Sequence, residues 1–372
     1  MPSYMRFVCT ILAACLLGGP ALAQVAPNPP SNLCIQSSGQ TSCASSVAQV
    51  KKWNPGHYLR ANALGFVAQD YARKAVYEMT RNDPNLKGGL LAIPWGTIET
   101  SKGVYDFSQI DKDLAILKSM GKKLIIEVWW QKYGGSVPDD RHFPRYIYDA
   151  GGVVAVKSDF SVRMDQAQWA DRYIALQQAL AAKYDADPAV EQVIITETAS
   201  TSAYEFKRIV PAVAAAWHRT TVVLYMNWVD TAQLAQELMA ICAQNGVGVG
   251  GPDILPPKPI SPVGEDHASR ALRGVGVSSL YSDGQEMQNF GTTDYRGQVP
   301  VSYSYEALHG IPPSAMISYV TGTLKATHIA WAVTEELGPT MNFTTGIVPV
   351  LNLVTSKLNL QYPSRLATAG VQ

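Results

Sequence analysis

The chain carries no excess of charge of either sign. Thirty lysine and arginine residues stand against thirty aspartate and glutamate residues in 372. That balance removes the electrostatic case for nucleic acid or an anionic membrane surface as a partner and leaves a neutral ligand as the default. Cysteine is scarce, five in all, and no Cys/His cluster has metal-ligand spacing, so neither metal nor cofactor is expected. The leading apolar run is too short and wrongly flanked to span a bilayer. Internal repeats, low-complexity tracts and a linker marking a second domain are absent as well.

That leading run reads as an export signal. Arg6 supplies the positive charge, Phe7 to Leu17 the apolar core and Ala21-Leu22-Ala23 the small-residue cleavage site, so residues 1–23 are expected to be removed and the protein secreted or periplasmic. Leu12-Ala13-Ala14-Cys15 also resembles a lipobox, and a lipid tether at Cys15 is the alternative given less weight. Residues 24–50, rich in Pro, Ser, Asn and Gln, suit an extended lead-in. Within it Cys34 and Cys43 flank a short Ser/Gly/Gln loop, which makes a disulfide plausible in an exported chain. Cys242 lies in a helical pattern and reads as a buried apolar residue, not a nucleophile.

The rest is organised around the stretch from Gly88 to Trp130. A short unalternated apolar run, Leu90 to Pro94, has the look of a strand covered on both faces. Ser108 with Asp111 three residues on resembles a capping box, Ile110, Leu114, Leu117 and Met120 recur at helical spacing, and Gly121 stops the turn. The run LIIEVWW follows at once, completing a right-handed βαβ unit. Eight such strand runs can be placed: Tyr58 to Ala61, Leu90 to Pro94, Leu124 to Trp129, Val193 to Glu197, Val222 to Asn227, Val247 to Gly251, Val301 to Glu306 and His328 to Val333. Helical patterns separate them, at Ala68 to Thr80, Gln166 to Lys183, Ala203 to Trp217, Thr231 to Asn245 and Pro313 to Leu324. The fold class is therefore α/β, a single (β/α)8 TIM barrel over residues 51–372, expected to be a monomer. Pro252 to Gly297, long and rich in Gly, Pro and Ser, reads as a functional loop on the side of the site.

A barrel of this kind places its chemistry at the carboxyl ends of its strands. Two glutamates lie there, Glu197 ending the fourth and Glu306 ending the seventh. Those ends oppose each other across the mouth, so one carboxyl group can protonate a leaving oxygen while the other attacks an anomeric carbon, the arrangement glycoside hydrolysis needs. Taken singly, each is as well explained by a rim salt bridge or a helix cap. Rival barrel chemistries lack their residues. None of the eight ends has the lysine of a Schiff-base aldolase, strand one has no His-x-His, and the loops after strands seven and eight are not Gly-rich phosphate cradles.

The segment IPWGTIETSKGVYDFSQIDKDLAILKSMGKKLII resembles the second βα unit of retaining glycoside hydrolases of the large (β/α)8 clan whose glutamates follow strands four and seven. The match rests on Trp95, Glu99, Gly103, Tyr105, Asp106, Phe107, Ile110 and Asp111. Beyond that segment the resemblance is architectural, from about Trp53 to Glu335. It implies Glu197 as acid/base, Glu306 as nucleophile and a carbohydrate substrate, and it puts a frequent tryptophan after strand eight on Trp331. One departure stands out. The clan usually has Asn immediately before the acid/base, to hydrogen-bond the sugar 2-hydroxyl, and here that residue is Thr196. The runner-up is accordingly a barrel that binds glycan without cleaving it.

Aromatic rings give a separate line, because sugars stack their C–H faces on flat rings. Trp95, Trp129, Trp130, Trp228 and Trp331 fall at or just past predicted strand ends, with a buried structural ring as the even alternative for each. Trp53, Trp169 and Trp217 look like packing residues. Asn227 sits at the end of strand five among the substrate-binding candidates. Arg60 and Glu127 should pair if both point inward, and Tyr281 is the better placed of the tyrosines to meet Glu306, since alternation turns Tyr303 and Tyr305 to the other face. His142 and His267, in loops on the site side, could bind hydroxyls but are as readily solvated.

Overall fold

A computed structural model of the chain describes residues 35–37, 40–42, 50–60, 70–132, 142–156, 159–199, 201–226, 229, 231–252, 296–305, 313–322, 324–333 and 358–366. The signal segment, Cys15, Cys34, Cys43, Asn227, Trp228, His267, Tyr281 and Glu306 lie outside them. The chain forms two compact units, residues 1–47 and 48–372. In the first, Ile35–Ser37 and Gln40–Ser42 make an antiparallel hairpin with Ile35 opposite Ser42.

The second unit is a closed barrel of eight parallel strands in sequential order. They are β1 (Gly56–Arg60), β2 (Leu86–Pro94), β3 (Lys123–Trp129), β4 (Val190–Ile195), β5 (Thr221–Tyr225), β6 (Gly248–Gly251), β7 (Val301–Tyr305) and β8 (His328–Ala332). Each of the eight expected runs is a strand. The largest boundary difference is at β2, which begins at Leu86, where that residue pairs with His57 of β1. The main described helices are α1 (Asp70–Glu78), α2 (Ser108–Ser119), α3 (Ala167–Tyr184), α4 (Phe206–Ala216), α5 (Ala232–Gln244) and α6 (Pro313–Gly322).

Local signals account for several helix ends. Thr231 caps α5, its hydroxyl accepting from the Leu234 amide at 3.0 Å, as N-cap threonines do. Gly121, at φ +68°, closes α2, with its amide on the Lys118 carbonyl and that of Lys122 on the Leu117 carbonyl, a glycine-terminated helix end. The expected cap at Ser108 is not formed. Asp106 does the work instead, its Oδ1 accepting from the Ser108 amide at 2.9 Å, because an aspartate two residues upstream closes an Asx turn on that N–H.

Strand alternation sorts the core into two layers. Ile125 and Trp129 of β3 join Tyr58, Leu90, Ala92, Ile194, Val223, Tyr225 and Ala330 inside the barrel. Leu124, Ile126 and Val128 face the helices with Val193, Ile195, Tyr303, Tyr305, Ile329 and Trp331. Cys242 is buried in that outer layer as a free thiol, and burial pushes its ionisation up. The inner face of β6 carries glycine. A Cβ at Gly250 would stand 1.5 Å from the Ser302 carbonyl oxygen of β7, its paired neighbour, so only a residue without a side chain lets the two strands meet there.

Candidate active site

The interior is polar where the strands approach the mouth, and small residues decide which side chains meet. Arg60 of β1, paired with Leu90 of β2, extends past that strand, where Ala92 is the next inner residue toward the mouth, and its guanidinium lies 4.9 Å from the centre of the Trp129 ring on β3. This is a cation–π contact between groups 2% and 7% exposed, a setting where desolvation strengthens it. Tyr225 of β5 reaches past glycine-lined β6 in the same way, and its hydroxyl meets Ser304 Oγ of β7 at 3.2 Å. One layer lower, Ser302 Oγ of β7 donates to Gln192 Oε1 of β4 at 2.9 Å. That bond crosses the barrel, tying together the two strands whose ends lead to positions 197 and 306.

Glu197 stands two residues past β4 and is 7% exposed. Its backbone is anchored from the extension of the preceding strand, β3. Gln131 Nε2 donates to the Glu197 carbonyl at 3.2 Å and to the Ala199 carbonyl at 2.5 Å. Gln131 belongs to a small antiparallel sheet built from Gln131–Lys132, Asp159–Val162 and Val153–Val156 in the long connection from β3 to α3. Thr196, immediately before Glu197, points inward and donates its hydroxyl to Glu127 Oε1 at 2.8 Å. The other oxygen of Glu127 has no hydrogen-bond partner, although the residue is only 2% exposed. The expected Arg60–Glu127 ion pair is not formed, because Thr196 takes the glutamate and the Trp129 ring takes the guanidinium.

Three of the five tryptophans lie elsewhere than expected. Trp95 is fully buried, edge-on to Tyr173 of α3, with Nε1 donating to Glu99 Oε2 at 2.6 Å. Trp331 is also fully buried on the helix side of β8, and its Nε1 donates to His57 Nδ1 at 3.0 Å. Both are therefore corrected from substrate platforms to packing residues. For Trp331 the reason is alternation, since Ala330 points inward and its neighbour must point out. Trp130 packs on Tyr173 and Phe206 in the same outer layer. Trp129 is the ring that the structure places inside the mouth. Trp169 and Trp217 are packing residues as expected, and His142 is buried at 7% exposure.

The residues matched to the glycosidase motif turn out to clamp one loop. Glu99, with no exposed side-chain surface, accepts from Trp95, from the Gly103 amide at 2.8 Å, from the Tyr146 hydroxyl at 3.0 Å and from Arg172 of α3 in a short ion pair. Gly103 adopts φ +77° to present that amide. Asp111 accepts from Tyr184 at 2.8 Å and pairs with Lys183, so the β2–α2 connection is bolted to α3 at both ends. Among the described residues no group of His, Cys, Asp and Glu is arranged to hold a metal, and no helix is long and apolar enough to cross a membrane.

Solved structures that resemble this chain include glycoside hydrolases. Endo-glycoceramidase II from Rhodococcus sp. superposes with a TM-score of 0.49 at 12% identity, covering 84% of this chain and 81% of that one. A family 39 glycoside hydrolase from Bacteroides cellulosilyticus WH2 gives 0.46 at 11%, over 84% and 63%. An endoglucanase from Pseudomonas stutzeri gives 0.44 at 11%, over 85% and 98%. A likeness at this level is one of fold. No protein-family model matches the sequence, and no curated protein does.

Sequence reasoning missed Gln131, Gln192, Ser302, Ser304 and Tyr225. The alternation Ser302-Tyr303-Ser304-Tyr305 was the available signal for the serines, since it marks one polar and one aromatic face. Nothing local marks Gln131, whose partners lie 66 and 68 residues away.

Proposed function

We propose that the protein is a glycoside hydrolase acting on a neutral poly- or oligosaccharide by a retaining double displacement, with Glu197 as acid/base and Glu306 as nucleophile. The observation that carries this reading is the Ser302–Gln192 bond across the interior. It fixes β4 and β7 at the reach of one side chain from each, five residues before Glu197 and four before Glu306. Ser302 and Ser304 mark the inward parity of β7, and 306 is the next position of that parity. A pair of carboxyl groups about 5 Å apart allows direct attack on the anomeric carbon, whereas about 9 Å would leave room for a water and give inversion. The ring of Trp129 is the stacking surface for the sugar.

The test is a panel of aryl glycosides and natural glycans. Glu306→Gln should abolish turnover on all of them. Glu197→Ala should spare the first step on substrates whose leaving groups need no proton, and azide should rescue the second by replacing the base-activated water. Equal, small losses for both variants on both substrate types would overturn the assignment. A glycan-binding barrel without hydrolysis is the second reading. It is favoured by Thr196, which stands where the clan has Asn and spends its hydroxyl on Glu127.

The reading includes export, with residues 1–23 as the signal. Cys34 and Cys43 flank a short Ser/Gly/Gln loop in the sequence, and a disulfide between them suits an oxidising compartment. Mass spectrometry of the secreted protein, before and after reduction, tests both points.

A further inference from the structure

We propose that Glu127 is a substrate-binding residue whose free Oε2 accepts a hydrogen bond from one hydroxyl of the bound sugar, while Thr196 orients the carboxylate through Oε1. This rests on the glycoside reading above. A carboxylate is acceptor-only, with about four lone-pair positions, and Glu127 receives a single donor, the Thr196 hydroxyl at 2.8 Å. Oε2 has no partner, and the residue is 2% exposed on the inner face of β3. A buried acceptor left in that state is costly, so its retention calls for a donor that arrives from outside.

The neighbours that could have supplied one are engaged elsewhere. Arg60 lies over Trp129, and the Tyr225 hydroxyl meets Ser304. Trp129, two residues beyond Glu127 on the same face, offers a ring at the entrance, so a sugar stacked there presents its hydroxyls toward the carboxylate below. A neutral sugar suits the site because each hydroxyl can donate without bringing a second negative charge beside Glu127. The Thr196–Glu127 pair thus supplies, from two residues, a polar contact immediately next to the acid/base position.

The experiment uses the full-length mature protein and the aryl glycoside that the wild type cleaves best, with its monodeoxy analogues, one hydroxyl removed at a time. In the wild type one analogue should lose about tenfold to a hundredfold in kcat/KM, as for a hydrogen bond to a charged group. In Glu127→Gln the parent substrate should fall by a similar factor while the penalty for that one analogue shrinks to about threefold or less. The other analogues should keep their wild-type penalties. Thr196→Ser retains the hydroxyl and should preserve the wild-type pattern, whereas Thr196→Val should weaken it, which keeps the inference testable should Glu127→Gln fail to fold. A purely structural Glu127 would lower stability without changing which hydroxyl matters. An active Glu127→Gln enzyme with the wild-type pattern overturns this inference and leaves the hydrolase reading standing. A wild type inert on every glycoside overturns both.

Discussion

Glu99 and Glu127 are buried carboxylates on adjacent βα units, and they are treated in opposite ways. Glu99 sits outside the barrel after β2 and is saturated by the Trp95 indole, the Gly103 amide, the Tyr146 hydroxyl and Arg172. Glu127 sits inside the barrel on β3 with one donor and one bare oxygen. A burial profile alone would class them together. Partner count separates them, because a saturated carboxylate has no capacity left for a ligand and an unsaturated one keeps an acceptor in reserve. The donors of Glu99 come from three elements of the chain, which makes it a clamp. The single donor of Glu127 comes from Thr196, the residue immediately before Glu197.

The sharpest way to break the comparison is Glu99→Ala. It strands Arg172 and the Trp95 N–H and should cost about 3–5 kcal/mol by chemical denaturation, the range for removing one partner of a buried pair. A loss under about 1 kcal/mol would mean that the saturated shell is not what holds the β2 loop.

Next in size is a pH effect at His57, a buried group with one partner, the Trp331 indole. Burial lowers its pKa from 6.5 to about 3. The unfolded chain therefore takes up the proton first as pH falls, so stability is complete above pH 6.5 and declines between 6.5 and about 3. The loss attributable to His57 should reach about 2 kcal/mol near pH 5. His57→Gln, which keeps an acceptor for Trp331, should flatten that part of a denaturation profile. An unchanged slope would show that other groups set the acid limit.

Glu127→Gln should move stability by about 1 kcal/mol or less in either direction, since it removes a buried charge that has little to lose. A loss as large as that of Glu99→Ala would erase the distinction between the two carboxylates. The smallest effect expected is that of salt. Affinity for a neutral oligosaccharide, measured by calorimetry, should change by about twofold or less between low and high ionic strength, and a steep dependence would point to an anionic ligand at Arg60.

The barrel was legible because parallel strands covered on both faces leave continuous apolar runs, and all eight of them did. The site was legible only in part. Alternation assigns Ser302 and Ser304 to the inner face without any coordinates, and applied to His328-Ile329-Ala330-Trp331 it would have turned Trp331 outward. Trp95 could have been recognised from Glu99 four residues on, at the reach of one helical turn. The partner of Thr196 could not, since Glu127 is 69 residues away and only the closing of β4 against β3 brings them together. The same holds for Gln192 and Ser302, which are 110 residues apart. The clan-like motif was informative about architecture more than chemistry, because its residues bolt a loop to α3.

Gly250 also bears on how descendants of this chain can diverge. Every single-codon change away from glycine there drives a Cβ into the Ser302 carbonyl, so drift at that position meets an immediate penalty that no nearby side chain can absorb by rotating. The loops around the mouth face no such barrier and can lengthen, shorten or change chemistry one step at a time. Lineages that adopt new substrates should therefore differ in those loops while inheriting the β6–β7 seam unaltered, and a library for directed evolution is better spent on the rim than on the wall beneath it.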